Sequence, residues 1–181
     1  MRAPFVVLAA ALLLAGCTPT EPSAPAEQML SERTDAMPAE ANDTDVHFLG
    51  MMVPHHQQAI DMSEVLLASD VEDPDVRDLA ERIRSGQERE NAQMRQLADD
   101  WAIDADMELH SHHIANGMVS PGVFETFAQL DGEELRTRFL ELMHFHHAEV
   151  IAMTQDQVDN GGYAPLRELA EEMIEVQTAE M

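Results

Sequence analysis

With 181 residues the chain has room for one domain of ordinary size and some length besides. Its formal charge is -25, from 35 Asp and Glu against 10 basic residues that are all Arg, which excludes a nucleic-acid surface because phosphate binding needs positive charge. The acidity reads as a solvated exterior, and 13 Met against 4% aromatics predicts a helical core of Leu, Ala, Met and Ile.

Arg2 followed by the apolar run 5–15 has the layout of a secretory signal: a positive start, then a hydrophobic segment too short to span a bilayer. The run closes on Leu14-Ala15-Gly16-Cys17, which resembles the lipobox of bacterial lipoproteins, where cleavage precedes the cysteine and that cysteine becomes lipidated. The resemblance implies that 1–16 is a signal peptide and that Cys17, the only cysteine, anchors the chain to a membrane outside the cytoplasm. Cys17 is then neither metal ligand nor disulfide partner. Several acyl chains on one residue hold firmly, each buried methylene contributing about 0.8 kcal/mol. The alternative is an ordinary secretory signal with an incidental cysteine. Residues 17–43 are the lipidated cysteine and a disordered tether: Pro, Ala, Glu, Ser and Thr dominate from Thr18 to about Asn42, with too little apolar surface to order them. Met29 and Met37 fall within it.

The folded domain, 44–181, opens at a cluster of good N-cap residues, Asn42-Asp43-Thr44-Asp45, and a first helix runs to about Ser69. It carries the stretch 48–62, which returns as 139–153. Phe48/Phe139, Leu49/Leu140, Met52/Met143, His55/His146, His56/His147, Ile60/Ile151 and Met62/Met153 agree at one constant spacing. Fixed spacing within one chain marks a repeated structural unit. At ~100° per residue, Met52, His55, His56, Ala59 and Met62 fall within roughly 120° of helix face, as do Met143, His146, His147, Val150 and Met153. Each copy therefore aims two imidazoles and two thioethers to one side. A core stripe of Met and Ala with locally satisfied histidines would give the same pattern, but burying four imidazoles costs free energy unless each finds a partner. Pro54 stands inside the first copy and predicts a kink before its His pair; the second copy has Phe145 there.

Asp73-Pro74 is a helix start, and a second helix reaches to near Asp100 with Ile83, Gln87, Glu90, Met94, Leu97 and Trp101 on one face. Its counterpart is the C-terminal helix. Arg77, Leu79, Ala80, Glu81, Gln87 and Glu90 match Arg167, Leu169, Ala170, Glu171, Gln177 and Glu180, at a spacing one residue shorter than in the first helices. The deletion lies in the connecting loop, which predicts a duplicated helix hairpin and an all-α four-helix bundle.

Between the halves, the connector 101–132 gathers Met107, His110, His112, His113 and Met118, while Asn116, Gly117, Pro121 and Gly122 argue against one continuous helix. These side chains either cap a metal site or hold a second one, or they form a solvated His-rich loop that binds divalent ions weakly. Ser120-Pro121 starts a short helix through Phe127, and Asp131-Gly132 breaks before the third long helix, which stops near Gly161-Gly162.

A carboxylate-bridged di-iron bundle would need Glu-x-x-His pairs on inward faces. One exists, at Glu141 and His144, but the first copy has Gly50 and Val53 there, and the pair points roughly 100° away from the His146/His147 sector. The repeated motif, Met-x-x-His-His, suits Cu(I) and by the same softness Ag(I); His alone also takes Cu(II) or Zn(II). No Gly-x-Ser-x-Gly, phosphate-cradling Gly-rich loop or His-Glu-x-x-His is present, so the chain is not expected to be an enzyme.

Met52-Val-Pro-His-His-Gln-Gln-Ala-Ile-Asp-Met62, the segment 87–94, Gly117-Met118-Val-Ser-Pro121 and 139–153 together resemble the bacterial family catalogued as domain of unknown function 305. The resemblance covers nearly all of 45–181 and implies a ferritin-like helical bundle, some members of which are periplasmic, bind Cu(I) or Ag(I) and support metal tolerance. It makes Met52, His55, His56, Met62, Met143, His146, His147 and Met153 the bundle ligands and adds Met94 and Met118 as candidates. The chain departs from the family in carrying histidines in the middle segment, where members are often richer in Met.

The resulting reading is a membrane-tethered, extracytoplasmic four-helix bundle that sequesters or passes on copper without turnover; the sequence names no delivery partner. A structural or interaction lipoprotein with an unusual Met and His core, or a ferritin-like metalloenzyme such as an oxidase, are the rival readings.

Overall fold

The computed structural model describes residues 36–103 and 117–181. Cys17, Met29, Met107, His110, His112 and His113 lie outside the described residues. The elements are α1 (Asp43–Ala68), α2 (Pro74–Asp100), the short α3 (Pro121–Phe127), α4 (Gly132–Asn160) and α5 (Ala164–Glu180). All are helices, and among the described residues none is long and apolar enough to cross a membrane.

The helix starts follow from local chemistry. Asn42 and Asp45 form a reciprocal capping box on α1, the Asn42 side chain accepting from the Thr44 and Asp45 amides. Asp73 caps α2 ahead of Pro74 at the first turn. The helix α1 runs unbroken through Pro54. Met37 and Ala41, which the sequence assigns to the tether, are half-buried against the bundle.

Two hairpins, α1 with α2 and α4 with α5, meet through α1 and α4. Their interior divides into two apolar clusters. The first joins the start of α1 (Val46 to Val53), the end of α2 (Met94, Ala98, Trp101), Val150 of α4 and the start of α5 (Leu166 to Met173). The second joins the end of α1 (Ala59 to Leu66), the start of α2, Phe127 of α3 and the start of α4 (Leu135 to Met143). The start of α1 thus shares a cluster with the far end of α4, so the duplicated helices run antiparallel and the halves are related by an approximate twofold axis between them.

Equivalent residues do equivalent work in the two halves. Arg77 donates to the Leu67 and Val71 carbonyls at the end of α1, and its counterpart Arg167 donates to the Gly161 and Gly162 carbonyls at the end of α4. Near the start of each first helix a side chain ties the opposite hairpin: Arg136 pairs with Asp73 at 2.7 Å. Asp45, fully buried, accepts from Gln157 Nε2 at 2.6 Å and from the Gly162 and Tyr163 amides at 2.9 and 3.2 Å. The Asp45 carboxylate therefore holds the turn that leads into α5 from 118 positions away, where Tyr163 offers no side-chain cap of its own. Trp101 meets the Tyr163 ring edge-on at 5.2 Å and closes the same end.

Candidate metal centre

His55 and His56 stand midway along α1, and His146 and His147 midway along α4, at the level where one apolar cluster ends and the other begins. They form a polar layer across the bundle, each residue at most 1% exposed. The His55 and His146 rings stack across the approximate twofold, centroids 3.6 Å apart and planes 28° from parallel. None of their four ring nitrogens has a hydrogen-bond partner. The other two rings are held from the second helices of each hairpin: His56 Nε2 lies 2.7 Å from Glu90, and His147 Nε2 lies 2.9 Å from Glu180. Their Nδ1 atoms are buried and unpartnered.

Burial first, and the neighbouring imidazoles second, hold His55 and His146 well below the ordinary histidine value of 6.5. A weaker backbone interaction with the opposing histidine acts the other way. Both rings are therefore neutral at neutral pH, the form in which imidazole binds a metal. Gln87 and Gln177, also buried, leave both amide atoms unpartnered, and Asn91 uses only its donor, on the Val53 carbonyl at 3.1 Å. Buried polar atoms in folded proteins are nearly always paired. Their concentration in one layer fits a ligand set better than a packing core.

The methionines flank this layer. Met52, Met94, Met153 and Met173, one from each of α1, α2, α4 and α5, share the first cluster, while Met62 and Met143 belong to the second. Met52 and Met62 are ten positions apart, about 15 Å along the helix axis, so one ion cannot take both. The predicted donors thus keep their buried face but divide into two groups, one on either side of the histidines. Gly117 takes φ +88° and lies so close to α4 that a β-carbon there would stand 2.7 Å from the His146 carbonyl. Val119 exchanges two hydrogen bonds with the Gln58 side chain, at 2.7 and 2.9 Å. Half-buried Met118 therefore crosses the bundle between α4 and α1 at the level of the histidines.

Among the described residues no three His, Cys, Asp or Glu side chains form a metal-holding group. Glu141 and His144 are exposed, and Glu141 pairs with Arg138, so the inward Glu-x-x-His arrangement of a di-iron centre is not built. What the layer offers is imidazole nitrogen, with Met52 and Met143 about one helical turn before each His pair, a soft donor set. Sequence reasoning did not single out three residues of this region. Glu90 and Glu180 were visible as matched positions of the repeat but not as partners of the histidines. Met173 was hidden because it breaks the duplication, its counterpart being Ile83.

The family model described as Domain of unknown function (DUF305) matches residues 45–181. The chain belongs to the DUF305 family. Among solved structures it is similar to a DUF305 protein from Streptomyces coelicolor, at 28% identity over 79% of this chain and 89% of that one, with a TM-score of 0.67. A DUF305 fragment from Deinococcus radiodurans is 27% identical over 77% of this chain and 91% of its own, also with a TM-score of 0.67. CopM in its Cu(II)-bound form is 29% identical over 75% and 89%, with a TM-score of 0.63. CopM has also been solved in a Cu(I)-bound form. No curated protein matches this DUF305 chain.

Proposed function

We propose that this DUF305 protein binds Cu(I) in its interior, outside the cytoplasm, and sequesters it or passes it on without chemical turnover. The observation that carries the reading is the layer of four buried imidazoles with six unpaired ring nitrogens, flanked by methionines from every long helix. Its similarity to CopM, a protein solved with Cu(I) and with Cu(II), supports copper as the cargo. His55, His56, His146 and His147 supply nitrogen; Met52, Met94 and Met153 supply sulfur on one side and Met62 and Met143 on the other, with Met118 over the layer. Ag(I), equally soft, fits the same donors. The lipobox-like stretch ending at Cys17 would hold the domain on a membrane surface.

The test is a titration of the purified domain with Cu(I) against a competing chelator. The expected result is binding that is lost when all four histidines are changed to Ala. Equal binding by that variant would place the copper away from the four buried imidazoles and sink the reading.

A further inference from the structure

We propose that Glu90 and Glu180 are positioning residues of the copper centre: each carboxylate accepts the Nε2–H of His56 or His147, leaving Nδ1 of that ring as the atom that coordinates the ion. The inference rests on the copper-binding reading above and specifies its geometry.

A histidine ring buried with a carboxylate on one nitrogen and nothing on the other has its tautomer decided by the carboxylate. With the proton on Nε2, the 2.7 and 2.9 Å contacts are hydrogen bonds and Nδ1 bears a free lone pair. With the proton on Nδ1, a lone pair would face a carboxylate and a buried N–H would have no acceptor. Protonating both nitrogens leaves the same orphaned N–H. Only the Nε2–H form satisfies the carboxylate and presents an acceptor to the interior.

The arrangement occurs twice, from α2 onto α1 and from α5 onto α4, although much of the sequence around the two glutamates has diverged. It also addresses a charge problem. Thioether and neutral imidazole bring no charge to a monovalent ion, and a cation in a dry interior is costly unless negative charge stands near. A carboxylate bonded through the ring supplies that charge and makes the ring a better donor without itself being a ligand. The Glu90 side chain is 18% exposed and that of Glu180 9%, so each carboxylate keeps an edge at the surface while its histidine is sealed inside.

Proton–nitrogen correlation NMR on protein with 15N-labelled histidine reads the tautomers directly. In the metal-free protein His56 and His147 should be Nε2–H forms. Added Ag(I) should shift their Nδ1 resonances and leave Nε2 protonated. Glu90→Gln and Glu180→Gln keep an oxygen to accept the proton but remove the charge, so the fold and tautomers should persist. Each should weaken Ag(I) and Cu(I) binding on the order of tenfold, the lower end of what such partners are worth. Glu171→Gln on the exposed face of α5 should leave affinity unchanged. Nδ1–H tautomers in the metal-free protein, an Ag(I) shift at Nε2, or charge-removing variants that bind like the Glu171 control would each overturn the inference with copper binding intact. A wild-type chain that takes up neither ion would overturn the copper reading as well.

Discussion

Changing His55 and His146 together to Leu should make the metal-free protein more stable. Each ring has two nitrogens, all four are buried, and none is paired. An unsatisfied buried polar group costs about 1–3 kcal/mol, and replacing facing polar groups by apolar ones of similar size is neutral or stabilising. Four such groups set an upper range of about 4–12 kcal/mol. Leu is not isosteric with imidazole, and the stacked contact at 3.6 Å is lost. Repacking of this kind costs about 1–3 kcal/mol, which leaves about 1–11 kcal/mol; the costs of adjacent groups do not add in full, so a net gain toward the low end, about 2–4 kcal/mol, is expected. Urea unfolding in excess chelator measures it, with a thermal midpoint about 6–12 °C higher as the companion observable. Added Ag(I) should stabilise the wild type and leave the double variant much less affected. A double variant destabilised by more than about 1 kcal/mol would show that the rings are satisfied in solution, and would refute the argument that they await a ligand.

Three further outcomes follow from the same structure. Asp45→Ala orphans Gln157 Nε2 and the Gly162 and Tyr163 amides, and should cost about 3–5 kcal/mol in urea unfolding; a loss below about 1 kcal/mol would contradict the role of Asp45 as the clamp between α1 and the second hairpin. His55 and His146 lie well below 6.5 in the folded state but not in the unfolded chain, which therefore binds more protons in mild acid. Their contribution is complete above about pH 6.5 and falls below it by up to about 1.4 kcal/mol per pH unit for each ring; identical stability profiles for the wild type and the Leu double variant between about pH 7.5 and 5.5 would contradict this. Gly117→Ala forces a side chain into a left-handed backbone and against the His146 carbonyl, and should lower stability by about 1–3 kcal/mol; an unchanged thermal midpoint would show that Gly117 does not rest on α4.

The elements that repeat or cap locally were legible in the sequence. Asn42 and Asp73-Pro74 mark helix starts because their capping chemistry acts within one turn, and Ser120-Pro121 and Asp131-Gly132 mark two more although neither Ser120 nor Asp131 makes a side-chain cap. The paired Met-x-x-His-His stretches announced the buried layer, since two polar rings on an apolar face need a reason to be there. What the sequence could not supply depended on how the hairpins dock. Antiparallel packing of α1 on α4 brings His55 onto His146 but sends Met52 and Met62 to opposite clusters. Helical periodicity fixes an angle around the axis and says nothing of that. Asp45 looked like one more capping residue; its contacts with Gln157, Gly162 and Tyr163 span more than a hundred positions. Glu90 and Glu180 were matched pairs in a repeat, and only the fold sets them against His56 and His147.

X-ray absorption at the copper edge, on protein loaded with Cu(I) under reducing conditions, tests the central claim most directly. Sulfur and imidazole nitrogen together around each ion, with the sulfur signal diminished in a Met52, Met94 and Met153 to Leu variant, is the predicted result. Copper surrounded only by oxygen or nitrogen, unchanged in that variant, would contradict it.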